Sequence, residues 1–394
     1  MATAKWKSAK LDELGFVGRG KSRHRPRNAA ILYGGSYPFF QTGDIKAANF
    51  YLTEFTQTYS EEGLAQSKLW KPGTLCITIA ANIAESAILG VEGCFPDSVV
   101  GFIADPDKAD VRFIKYYMEI LKLQMQSVSR GTTQDNLSMD KLLSFDFCVP
   151  SLSTQRRIAS ILSAYDELIE NNQRRIRILE DMARSLYREW FVHFRYPGHE
   201  SVPLVDSPLG QIPQGWEVLE FRSVFEIKYG KTLPKTEISE SGQYPVYGAG
   251  DVIGYYDKLL CPKKCALVTS RGNGSGTVWR TRGAAFVTNN SLIIAPQKQV
   301  GFWSYPFIEL LLKHSNVMAA KTGSAQPQVT IENLSYVQAI VPPKALVEKF
   351  CAFATPIYEQ VDSLFEKCSN LRRTRDLLLP RLLSGQINLV DADL

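Results

Sequence analysis

Gly15-Phe16-Val17-Gly18-Arg19-Gly20-Lys21-Ser22 matches, letter for letter, the G-x-x-x-x-G-K-[ST] pattern whose backbone N–H groups cradle nucleotide phosphates. That chemistry needs a buried strand before the loop and a helix that starts at the lysine. Here Lys10-Leu11-Asp12-Glu13-Leu14 precedes the loop, and Pro26 sits where the helix should be established. Nucleotide binding is therefore not expected from this match. Tyr247-Gly248-Ala249-Gly250 has the Gly-x-Gly form of a loop that holds S-adenosylmethionine, but the aromatic-flanked Asn/Asp-Pro-Pro needed to hold a target amine is missing. Glu226-Ile227-Lys228 downstream of Asp206 is a weak version of a metal-dependent nuclease pattern, of the kind chance supplies.

Other reactive chemistry has less support. The four histidines (His24, His193, His199, His314) lie at no metal-ligand spacing from one another, and there is no Gly-x-Ser-x-Gly. Of seven cysteines the closest pair is Cys261 and Cys265, with no Cys-x-x-Cys, so neither a structural zinc nor a disulfide framework is expected. No cofactor is expected on this chain.

Local charge says more than the net balance of +5. Arg19, Lys21, Arg23, Arg25 and Arg27 fall within nine residues with no acid among them. Farther along, Lys228, Lys231 and Lys235 surround Gly230 and Pro234. Lys263 and Lys264 follow, and then Arg271, Arg280 and Arg282 around Gly272-Asn273-Gly274. Basic side chains on Gly- and Pro-rich loops can follow a phosphate backbone, while Asn, Gln and Arg on the same loops can read base edges. Thr42, Asn82, Arg130, Thr132 and Gln134, and then Asn273, Lys321 and Gln326, complete the candidate DNA contacts. A solvated surface loop is the plainer account of either basic cluster taken alone. Their recurrence at equivalent places weakens it.

That recurrence runs through the chain. Trp6 and Gly20-Lys21-Ser22 return 210 residues later as Trp216 and Gly230-Lys231-Thr232. Tyr37-Pro38 and Gly43-Asp44-Ile45 return as Tyr244-Pro245 and Gly250-Asp251-Val252, at a shift of 207. Thr78, Asn82 and Phe95 return at 191 as Thr269, Asn273 and Phe286; Gly131-Thr132-Thr133-Gln134 returns at 192 as Gly323-Ser324-Ala325-Gln326. The preserved order makes duplication the reading.

Each half closes on a helix. One apolar seam runs Ile158, Leu162, Tyr165, Ile169, Asn172, Ile176, Leu179, Ala183, Leu186, Trp190, at alternating steps of four and three. The other runs Phe350, Ala354, Ile357, Val361, Leu364, Cys368, Leu371, Arg375, Leu378, Leu382. Two matched narrow seams predict a coiled coil between the helices. Short apolar stretches between Gly, Pro, Asn and Ser clusters predict β-rich modules elsewhere. The expected domains are 1–150, a helical region 151–195, an extended proline-bearing linker 196–214, a second module 215–342 and a second helical region 343–394. The fold class is α+β, with two mixed β-rich modules in pseudo-twofold repeat, separated by two long helices that pair antiparallel. With 394 residues, 45% hydrophobic content and no apolar window of membrane length, a cytoplasmic protein without membrane contact is expected.

Several motifs together resemble the DNA-specificity subunits of type I restriction-modification systems. These are Gln41-Thr42-Gly43-Asp44-Ile45, Gly131-Thr132-Thr133-Gln134-Asp135-Asn136-Leu137, Thr154-Gln155-Arg156-Arg157-Ile158-Ala159 and Trp190-Phe191-Val192-His193-Phe194. Ile212-Pro213-Gln214-Gly215-Trp216 and Leu377-Leu378-Leu379-Pro380-Arg381-Leu382-Leu383-Ser384-Gly385 extend the match across nearly the whole chain. In the second copy Gln326-Pro327-Gln328 and Pro343-Lys344-Ala345-Leu346-Val347 depart from the stronger motifs of the first. The resemblance implies a non-catalytic subunit whose two target-recognition domains each read half of a split sequence in double-stranded DNA. It implies two methyltransferase subunits and restriction/translocase subunits as partners, with S-adenosylmethionine, ATP and Mg²⁺ used there. Trp190, Phe191 and Phe194 either cap the coiled coil or form a docking surface for the methyltransferase subunits, and the resemblance favours docking.

Overall fold

The computed structural model describes residues 6–129, 136–323, 326–387 and 389. It divides into two compact units, residues 1–172 with 367–394, and residues 173–366. The boundary falls inside both long helices, Leu152–Tyr187 (the central helix) and Lys344–Leu383 (the distal helix).

In the first unit a five-stranded sheet has the order Gly15–Arg19, Val99–Ala104, Leu75–Thr78, Ser86–Leu89, Tyr51–Leu52. Two of its three inner strands, Leu75–Thr78 and Ser86–Leu89, are buried at every residue, which is why they read as continuous rather than alternating apolar runs. A smaller sheet joins Gln57–Tyr59, Tyr33–Phe39, Gly93–Cys94 and Leu69–Trp70. The helix Val111–Ser129 closes the core with Ile114, Met118, Leu121 and Met125, one stripe at helical spacing.

The second unit repeats the plan. Phe225–Tyr229, Ser291–Pro296, Ala266–Thr269 and Val278–Arg280 form a four-stranded sheet, and Val252–Tyr256, Tyr244–Tyr247 and Phe286–Val287 a three-stranded one. Helix Tyr305–His314 takes the place of Val111–Ser129. The duplication reaches single hydrogen bonds. Gly20 N–H donates to the Val99 carbonyl (2.9 Å) and Lys21 N–H to that of Phe95 (3.1 Å), while Gly230 donates to Ser291 (3.1 Å) and Lys231 to Val287 (3.0 Å). Phe95 thus corresponds to Val287, one residue beyond the Phe286 that sequence matching selects. The strand pairs Val99 with Thr78 and Ser291 with Thr269 hold the expected equivalence of the two threonines.

The helical seams are buried where the heptads place them. On the central helix Ile158, Leu162, Ile169, Ile176 and Ala183 are buried, as is Trp190 in the π-helical turn Arg188–Val192 that follows it, and on the distal helix Phe350, Ala354, Val361, Leu364, Cys368 and Leu382. Within the first unit the early part of one helix meets the late part of the other: Cys368 Sγ lies 3.8 Å from the Ile169 carbonyl, and Arg375 pairs with Asp166. Within the second unit Tyr187 and Trp190 meet Phe350, with ring centroids 5.7 and 6.2 Å apart. The pairing is antiparallel in each unit.

The segment 196–214 is not simply extended. Leu204–Ser207 and Gly210–Pro213 form an antiparallel hairpin whose turn is tied by Ser207 Oγ donating to the Gly210 carbonyl at 2.5 Å. Pro203 and Pro208 lie just before the first strand and in the turn, where no ladder N–H is needed.

Candidate nucleic-acid interface

The loop that mimics a phosphate cradle is built as a sheet. Gly15–Arg19 is a strand, and the N–H groups of Gly20 and Lys21 are used by Val99 and Phe95. A Cβ at Gly20 would come inside 3.0 Å of the Phe95 and Pro96 carbonyl oxygens, and one at Gly230 would meet those of Val287 and Thr288 in the same way. The recurring glycine is therefore a close-packing requirement. The Gly248–Gly250 segment is the turn of a hairpin, closed by Gly248 N–H on the Asp251 carbonyl at 2.9 Å.

Of the first basic cluster, Arg19, Lys21 and Arg23 are exposed, and their side chains have no hydrogen-bond or ion-pair partner among the described residues. Arg25 folds back on the carbonyls of Ser22 and His24 (2.8 and 2.9 Å), and Arg27 is held by both oxygens of Asp97 at 3.0 and 2.9 Å. These two arginines shape their own loop. A cation that sequence reasoning passed over joins the face: Lys68 sits 3.6 Å from the Trp70 ring centroid and 4.8 Å from that of Phe16. Burial, and then the neighbouring charge of Lys21, lowers the Lys68 pKa. Thr42 and Asn82 are brought together, but in service of the loop: the Asn82 amide donates to the Thr42 carbonyl (3.5 Å) and accepts from Lys46 (3.3 Å). Arg130, Thr132 and Gln134 lie outside the described residues.

The second unit sorts its cations differently. Lys228 pairs with Glu226 at 2.6 Å on the surface, while Lys231, Lys235, Arg271, Asn273 and Gln326 are exposed with side chains unpartnered among the described residues, and Lys321 is half-buried. Arg280 and Arg282, expected on the same basic face as Arg271, are turned inward. Arg280 is buried between Glu309 and Asp362, 3.1 Å from each, with its guanidinium 4.5 Å from the Tyr358 ring. Burial works against its charge, but the two carboxylates outweigh this and raise its pKa. Lys264 joins the same cluster, 2.6 Å from Asp362. Arg282 stacks on Phe365 at 3.5 Å. These three cations fasten the β-rich part of the unit to the distal helix. The heptad pattern marks Val361 as buried but carries no sign that Asp362 is an anchor.

Of the three residues expected either to cap the coiled coil or to dock a partner, Trp190 and Phe191 are buried. Phe191 packs against Trp216, Phe307 and Phe350, with centroids 6.0, 5.3 and 5.2 Å away. Phe194 is half-buried against Trp216 at 5.3 Å. The aromatic cluster ends the central helix by joining it to the second module.

Among the described residues no group of three or more His, Cys, Asp or Glu is placed to hold a metal, and no helix is long and apolar enough to cross a membrane. Two β-rich modules on one backbone frame, each with exposed unpartnered cations and each packed on paired helices, define a duplicated recognition scaffold. Residues 3–181 and 213–352 match the family model described as the type I restriction modification DNA specificity domain, and the chain belongs to this family. It is a non-catalytic specificity subunit of that class. It is similar to the type I restriction enzyme MjaIX specificity subunit of Methanocaldococcus jannaschii, 22% identical over 97% of this chain and 93% of the relative. Similarity to the HindI specificity subunit of Haemophilus influenzae is 23% over 95% and 98% of the two chains. The crystal structure of the type I restriction-modification S subunit from M. genitalium shares the fold, with a TM-score of 0.67 at 20% identity over 97% of each chain.

Proposed function

We propose that this chain directs a type I restriction-modification complex to a bipartite target, with each unit reading one half-site in double-stranded DNA. Two methyltransferase subunits and the restriction/translocase subunits would bring S-adenosylmethionine, ATP and Mg²⁺ chemistry to the bound site. The observation that carries this reading is one frame with two sets of loop residues. Equivalent hydrogen bonds from Gly20-Lys21 and Gly230-Lys231 fix the same turn in both modules, whereas Ala80-Ala81-Asn82 and Arg271-Gly272-Asn273 occupy the equivalent loop. A shared scaffold with divergent loops is what two different half-sites require. Selection from a random DNA library by the chain assembled with its methyltransferase subunits tests it. Two short motifs at a fixed gap are expected. A single continuous motif would count against one half-site per unit, and an absence of selection would count against DNA specificity. The chain without partners is expected to leave DNA unmodified in the presence of S-adenosylmethionine or Mg²⁺.

A further inference from the structure

The loop between strands Ala266–Thr269 and Val278–Arg280 is held rigidly yet carries its side chains into solvent. Val329 N–H donates to the Ser270 carbonyl (2.8 Å), Ser270 Oγ to the Val329 carbonyl (2.9 Å), and Gly272 N–H to that of Pro327 (3.2 Å). Inside the loop Ser275 N–H bonds Gly272 at 2.9 Å and Thr277 N–H bonds Gly274 at 3.0 Å. Gly272 and Gly276 hold φ of +88° and +89°, and a Cβ at Gly272 would meet nothing within 4 Å. Arg271 and Gln328 are partners in an antiparallel bridge, which sets their side chains next to each other on one face. Arg271, Asn273 and Gln328 are all exposed, and none of the three side chains has a partner among the described residues. No carboxylate stands on residues 270–277 or 326–329, and that of Asp251, on the adjoining turn, is engaged by the Val252 N–H at 2.7 Å.

The equivalent loop of the first unit is built the other way. Ala80 bridges Asn136 as Arg271 bridges Gln328, but Ile83 and Ala84 are buried and the Asn82 amide is spent on Thr42 and Lys46. The first unit uses this loop to pack. The second leaves an arginine fork and two amides unoccupied on a fixed backbone.

We propose that Arg271, Asn273 and Gln328 form the base-reading edge of the second unit, and that Arg271 reads a guanine; this rests on the DNA-reading role proposed above. A guanidinium fork matches guanine O6 and N7, and Asn or Gln amides match adenine N6 and N7. Rigid presentation matters because a side chain on a fixed backbone loses less freedom when it docks.

Library selection with the full chain and its methyltransferase subunits tests this, comparing wild type with Arg271→Ala, Arg271→Lys, Asn273→Ala and Lys231→Ala. Arg271→Ala is expected to cut discrimination at one guanine of a single half-site by roughly ten- to a hundredfold, leaving the other half-site unchanged. Arg271→Lys, which keeps the charge but loses the fork, is expected to lose the same discrimination, and Lys231→Ala to weaken all sequences alike. If Arg271→Ala weakens all sequences equally, or Arg271→Lys behaves as wild type, Arg271 is a phosphate contact and the proposal is overturned. Variants that select the wild-type motif at full strength overturn it too. A wild-type complex that selects no motif overturns the DNA-reading role itself, an outcome visible before any variant is compared.

Discussion

The Arg280 guanidinium lies 3.1 Å from the Asp362 carboxylate, although 82 residues separate them and both side chains are buried. With Glu309 also 3.1 Å away, the arginine is shared by two buried carboxylates, each of which has one lysine besides: Lys313 at 2.5 Å from Glu309 and Lys264 at 2.6 Å from Asp362. Removing it takes away the cation shared by two buried carboxylates and leaves each with one partly exposed lysine, which costs more than losing an exposed pair would. Arg280→Met is expected to destabilise the second unit by about 3–5 kcal/mol in chemical denaturation. Replacing Glu309 and Asp362 by Leu in the same chain should recover most of that loss. A single variant as stable as wild type would show that the cluster does not hold the module to the helix.

Gly20 and Gly230 give a matched pair of packing tests. Each faces two carbonyl oxygens too close for a Cβ, so Gly20→Ala and Gly230→Ala are each expected to cost about 1–3 kcal/mol. Gly43→Ala, where nothing lies within 4 Å of the added atom, should be near neutral. Thermal melts of the three variants suffice, and equal melting temperatures would contradict the strained contacts.

The first basic cluster divides into free and engaged cations. Changing Arg19, Lys21 and Arg23 together to Ala should lower the log-affinity against log-salt slope by up to about three, because each lost phosphate contact releases fewer counterions. Arg27→Ala, whose guanidinium is already held by Asp97, should leave the slope unchanged. The reverse pattern would mean that the Arg27–Asp97 pair opens on DNA.

Phe191→Ala is expected to cost about 3–5 kcal/mol, since the ring is closed in among Trp216, Phe307 and Phe350. Any loss of co-purification with the methyltransferase subunit should then track loss of folded chain. Val192→Ser, at an exposed neighbour, should alter stability by less than about 0.5 kcal/mol. A folded Phe191→Ala chain that no longer binds its partner would instead support the docking role.

A whole heptad placed after Asn172 in one helix and after Glu366 in the other respects the register set by Ile169 and Cys368. The insertion keeps both seams and lengthens each helix by about 10 Å, roughly three base pairs of DNA. Under the proposed function both half-sites should persist while the preferred gap grows. Library selection returning the original gap would remove the helices as its determinant.

The duplication was legible in the sequence because order and spacing survive where identity does not. The one-residue slip at Phe95 and Val287 arose because aromatic identity, not the ladder, guided the match. The heptads, too, could be read directly: Ile158, Leu162 and Ile169 are buried because a narrow apolar stripe on a helix has to find a partner. The hairpin at Leu204–Pro213 was hidden by its prolines, which suit strand ends as well as extended linkers.

Charge was the part that sequence could locate but not assign. Arg271 and Arg280 stand nine positions apart in one basic stretch, yet the first is free and the second is locked to Asp362. Arg23 and Arg27 divide in the same way, through Asp97, 70 residues away. Composition and period follow from neighbours along the chain, and so the sequence alone determined the duplicated modules and the paired helices. The availability of a cation depends on whether a distant carboxylate is folded against it, because Coulomb attraction is strong only at contact distance and out of water. Only the tertiary structure decided which arginines are left without a partner.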